Sequence, residues 1–132
     1  MPRALVSALR CLIGVLAGYS LMGLIIYLVF EVGFGGVSYE ASPLPVLLAA
    51  GLCAFLSAVA GAFLAAWLAG RAPFVHAAVM MVLVVIETTW LITTGRTTDP
   101  VPFDVGAAAT LLIGLACGAV LYRRWRGGAA GA

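Results

Sequence analysis

The chain contains no lysine; its seven cations are all arginine, and five acids leave a net charge of +2. Charged residues make up only 9% of the 132 positions. A soluble domain carries about 25%, so an ordinary water-exposed fold is excluded. So small and scattered a positive balance also argues against a nucleic-acid partner, which needs a dense cationic surface. Cysteine is scarce. Cys11, Cys53 and Cys117 all fall inside apolar runs, none in a CxxC pair or beside histidine, so they are expected to be small packing residues. There is one histidine, His76, and no cluster of acids, histidines and nucleophiles. No catalytic constellation, metal site or cofactor is therefore expected, and His76 is read as an interfacial packing residue.

What fills the chain is hydrophobic surface: 64% apolar residues and a mean hydropathy of +1.18. Four apolar segments, at about 4–30, 44–69, 73–94 and 103–122, each meet the roughly 20 residues a bilayer crossing needs. The first is longer than a secretory h-region and lacks a clean cleavage site, so it is expected to remain as a helix. The reading is all-α: an integral membrane four-helix bundle forming one domain over residues 1–126, with 127–132 as a disordered tail.

Arginine placement orients this bundle. Arg3, Arg10, Arg71, Arg123, Arg124 and Arg126 fall on one side of the spans, and only Arg96 on the other. The positive-inside rule then places both termini in the cytoplasm, in a bacterial inner membrane. Arg71, Arg123, Arg124 and Arg126 are expected at lipid headgroups. Glu31, Glu40, Asp99 and Asp104 lie on the opposite side. Gly70-Arg71-Ala72-Pro73 reads as a tight turn, glycine ending one helix and proline opening the next. Trp67, Trp125, Tyr122 and Tyr27 read as interfacial belt residues.

In lipid, helices associate where small residues let backbones approach. Gly14 and Gly18 form a GxxxG pair. Ser57, Gly61 and Ala65 repeat it on the second helix, and Gly106, Thr110, Gly114 and Gly118 on the fourth. The third helix is bulky through Val82-Leu83-Val84-Val85-Ile86 and is expected to supply large knobs. These ridges first serve seams within the chain; they can also build a homodimer or a larger membrane complex.

Glu87 stands out because it is the one acid deep in a span. An ionisable group at mid-bilayer costs about 2.5–3.5 kcal/mol on insertion scales, so it faces protein or water. A rise of 1.5 Å per residue puts it roughly 4–5 Å from the midplane. Tyr19 and Ser20 on the first helix and Thr110 on the fourth fall near that depth, and Trp90 follows at i+3. These five are the candidate proton or substrate site. Two readings stand: a proton or cation site with aromatic walls, or an interhelical hydrogen bond that sets helix register.

The stretch over residues 60–77, a Gly/Ala-rich helix ending in Gly70-Arg71-Ala72-Pro73 and followed by His76-Ala77, resembles a group of small, largely uncharacterised bacterial four-span proteins. The resemblance implies architecture and no activity. Small multidrug-resistance transporters also have four short helices, but their essential acid lies in the first, and here the first span, read as 4–30, has no internal acid. The expected function is thus a non-enzymatic accessory or structural subunit of a membrane assembly. The alternative is a small proton-coupled transporter or channel-like protein using Glu87.

Overall fold

The computed structural model describes residues 3–129, all-helical apart from connecting turns. Helix α1 spans Arg3–Tyr27 and runs on as a π-helical turn over Leu28–Gly33; α2 spans Leu44–Ala69, α3 Pro73–Thr93 and α4 Val101–Ala129. All four are long and apolar enough to cross a membrane, with mean hydropathies of 2.0 to 2.3 in their most apolar windows. Their outward faces fit that solvent. Leu44, Leu48, Leu52 and Leu56 form an exposed stripe on α2, a surface that lipid tolerates and water does not.

Local chemistry sets the boundaries. Pro43, extended at φ −64° and ψ 151°, precedes α2, and Gly70 ends it in the left-handed conformation (φ 70°), donating its N–H to the Ala66 carbonyl at 2.9 Å. Two residues on, Ala72 also adopts a left-handed backbone (φ 48°, ψ 55°), and Pro73 opens α3. An L-residue pays roughly 1–2 kcal/mol for that conformation. The π-helical turn closes with Phe34 N–H on Val29 O (3.0 Å) and Gly36 N–H on Phe30 O (2.8 Å). Gly35 (φ 69°) and Gly36 (φ 99°) then turn the chain away.

Two expected boundaries move. The first helical segment reaches Gly33 rather than residue 30, and α4 runs from Val101 to Ala129 rather than over 103–122. Gly127–Ala129, expected in the disordered tail, is helical; residues 130–132 lie outside the described residues. No proline interrupts α4 after Pro102. Its terminal arginines suit the negative end of the helix dipole, and Arg126 Nη1 donates to the Gly70 carbonyl, tying α4 to the α2–α3 turn.

Helix α2 is the hub. It packs extensively on α1 and α4, α4 packs on α3, and α1 lies diagonally from α4. The seam between α1 and α3 is the sparsest of the four around the bundle. Small residues make the close approaches. A Cβ on Gly14 would fall 2.6 Å from Ala65 O, one on Gly61 2.6 Å from Gly18 O, and one on Gly114 2.7 Å from Phe55 O. Gly18 against Gly61 O and Gly118 against Val59 O are tighter still. Ser57 is buried and donates to Ala54 O at 2.7 Å.

Gly106 does not belong to this set, because a Cβ there would meet nothing within 4 Å. A four-residue step turns about 40° past a full revolution, so Gly106 lies some 120° round α4 from Gly118. The knobs expected from α3 also differ. Its buried stripe is His76, Ala77, Met80 and Val84, whereas Val82, Val85 and Ile86 face outward. Tyr122, expected at the membrane surface, is buried instead, its ring edge-on to Phe63 at 5.5 Å and 5.9 Å from Trp125. Val15, Met22, Ala58, Ala62, Ala65, Met80, Val84 and Leu115 form the centre of the core.

Candidate functional site: the cleft between α1 and α3

Helical spacing brings one face of α1 opposite one face of α3. Tyr19, Met22, Ile26 and Phe30 recur at three- and four-residue intervals, as do Val84, Glu87, Thr88 and Leu91. The helices do not close on each other along these faces; they enclose a cleft of about 410 Å³. Glu87 projects into it exposed rather than sealed in the core, and its Oε2 accepts a hydrogen bond from the Tyr19 hydroxyl. The π-helical turn adds two residues that sequence reasoning had not placed here, Phe30 and Glu31, and Tyr27 joins them. The cleft therefore holds two carboxyl groups and three aromatic rings, and no basic residue lines it.

Of the five residues expected to act together, two meet. Tyr19 bonds Glu87, but Ser20, one position on, is exposed on another face of α1. Thr110 spends its hydroxyl on its own helix, donating to Gly106 O at 3.0 Å. Trp90 lies outside the cleft: the cleft side of α3 runs through Val84, Thr88 and Leu91, and i+3 from Glu87 turns about 60° the other way. Arg96 covers the Trp90 ring instead, its guanidinium carbon 4.8 Å from the centroid. Sequence held a signal for the missed residues. Tyr27 and Phe30 continue the Tyr19 stripe at helical spacing within the expected span, and Glu31 joins them only if the helix runs past residue 30.

The other end of the bundle is basic. Arg71 occupies the α2–α3 turn, Arg126 bonds Gly70 O and Arg123 sits over the Phe74 ring at 5.8 Å. The acids Glu31, Glu40, Asp99 and Asp104 gather at the opposite end, where Asp99 Oδ1 accepts from Tyr39 N–H (2.8 Å) and the Tyr39 and Phe103 rings lie 5.4 Å apart.

No family model, curated protein or solved structure matches this chain. Fold and surface define the class on their own: an all-α protein whose four long apolar helices suggest a multi-pass membrane protein.

Proposed function

We propose that the α1/α3 cleft is a cation- and proton-binding site of a small transporter or channel-like protein, with Glu87 as the ionisable group. The observation that carries this reading is a deep carboxyl, open to a cleft on the least-packed seam of the bundle. A carboxyl serving only to hold register would be enclosed by the helices it joins. Here the Tyr19 hydroxyl occupies one side of Oε2, leaving the carboxyl able to take a proton or a cation from the cleft. Tyr19, Tyr27 and Phe30 supply ring faces that attract cations, and Glu31 adds negative potential. A second cleft indents the same seam near Arg71, and the fully buried Met80 lies between the two levels. Such a seam can open toward either end without breaking the glycine contacts of α2.

The arginine distribution supports an orientation with the basic end and both termini cytoplasmic and the acidic end outside, and the membrane we propose is a bacterial inner membrane. The test is proton movement in proteoliposomes carrying a pH gradient, screened against organic and inorganic cations, wild type beside Glu87→Gln. Cation-dependent proton movement lost in a folded Glu87→Gln variant supports the reading. Identical behaviour of the two proteins sinks it.

A second reading, an accessory or structural subunit, is favoured by the same sparse seam, since a partner's helix could complete it. In that case Glu87→Gln leaves proton movement unchanged, while bulky substitutions at Gly23, which lines the open seam, disrupt assembly.

A further inference from the structure

The second cleft differs in character from the first. It measures about 550 Å³, within the usual range for small-molecule sites, and is walled by Leu12 and Val15 of α1 and by Val75 and Val79 of α3. Arg71 stands on its lining, and so does His76. His76 is 2% exposed, and its Nδ1 lies 2.8 Å from the Ala72 carbonyl. A carbonyl only accepts, so Nδ1 carries the hydrogen, and in the neutral ring Nε2 is left as a bare acceptor. That atom is buried and has no hydrogen-bond partner. An orphaned polar atom in an apolar site is destabilising, so a ligand that supplies its partner gains on binding.

These features define a complementary molecule. It must carry a negative charge for Arg71 and a hydrogen-bond donor for His76. It must also have a hydrocarbon portion for a wall that is almost wholly apolar. The surroundings reinforce the sign. Arg10, Arg123, Arg124 and Arg126 share this end of the bundle, while all five acids lie in the other half of the fold. A soluble phosphate lacks the hydrocarbon portion that the apolar wall requires. A zwitterionic phospholipid lacks the net charge.

We propose that the cleft between α1 and α3 at the basic end is a binding site for an anionic phospholipid whose headgroup bears hydroxyl groups. Its phosphate sits at Arg71, a headgroup hydroxyl donates to His76 Nε2 as the cleft opens to admit it, and an acyl chain lies along Leu12, Val15 and Val79. This goes beyond the attraction that any arginine-rich membrane surface exerts, because it names one cleft, one arginine and one buried, unpartnered ring nitrogen.

The experiment uses the whole chain, delipidated in mild detergent and titrated with phosphatidylglycerol, phosphatidylcholine of the same chains, or glycerol 1-phosphate. Native mass spectrometry counts bound lipid, and thermal unfolding reads its effect. Phosphatidylglycerol is expected to bind as a saturable first molecule at least tenfold tighter than phosphatidylcholine, with no effect of glycerol 1-phosphate. Arg71→Gln should abolish that preference, whereas Arg124→Gln, an exposed arginine at the same end but off the cleft, should retain it. His76→Leu should weaken the first phosphatidylglycerol severalfold; because it removes the Nδ1 hydrogen bond to Ala72 O along with the unpaired Nε2, its lipid-free midpoint is read alongside to separate lost binding from lost stability. Equal binding of the two lipids overturns the proposal, as does an equal loss in Arg71→Gln and Arg124→Gln. So does unchanged affinity in His76→Leu, or a glycerol 1-phosphate shift as large as the lipid's.

Discussion

Gly106 and Gly118 stand on the same helix, in the same four-residue ridge, yet replacing each with alanine should have opposite effects. At Gly118 the new methyl group would overlap the Val59 carbonyl oxygen and lie 3.1 Å from its carbon and 2.9 Å from the Ala62 Cβ. Two of these three atoms are backbone, so relief requires α4 and α2 to separate by roughly 1 Å, and overpacking of this kind costs about 1–3 kcal/mol. At Gly106 the methyl group meets nothing within 4 Å. Both substitutions share the gain in helix propensity, about 0.8–1.0 kcal/mol by soluble-peptide measures. Their difference therefore isolates packing: Gly118→Ala should be less stable than Gly106→Ala by about 1–3 kcal/mol, or roughly 5- to 150-fold in the unfolding equilibrium. Reversible unfolding in mixed dodecylmaltoside–dodecylsulfate micelles, followed by helical circular dichroism, measures it. Gly106→Ala should match or exceed wild type. If the two variants unfold at the same detergent fraction, α4 does not cross α2 with its backbone against Val59, and the packing order described above is wrong.

Three further outcomes follow from individual residues. Ala72→Gly relieves a left-handed backbone at an alanine and should raise stability by about 1 kcal/mol in the same micelle assay. Tyr19→Phe deletes the hydroxyl that reaches Glu87 and should cost about 0.5–1.5 kcal/mol, whereas Ser20→Ala, on an exposed face, should stay within about 0.5 kcal/mol of wild type. Trp90 emission should shift in Arg96→Ala and be little changed in Glu87→Gln, because the tryptophan ring faces Arg96 and not the cleft; the reverse pattern would return Trp90 to the Glu87 site.

Composition and run length alone determined the four apolar helices, the turn at Gly70 to Pro73 and the charge difference between the two ends. These depend on one-dimensional quantities: twenty apolar residues cross a bilayer wherever they stand, and glycine and proline end or start a helix through their own backbones. The pairing of Glu87 with Tyr19 was also legible, because depth along a helix follows from counting residues. Rotation was not. Whether Trp90, Ser20 or Thr110 joins Glu87 depends on the angle at which each helix faces its neighbour, and Gly106 shows how a ridge regular in sequence winds out of an interface in space. The π-helical turn that carries Phe30 and Glu31 to the cleft runs on past residue 30, the expected end of the first span. Only tertiary structure decided that α2 is the hub and that the α1/α3 seam stays open. The reason is physical: small residues permit close approach on several faces at once, and which faces meet is settled by how all four helices fit together.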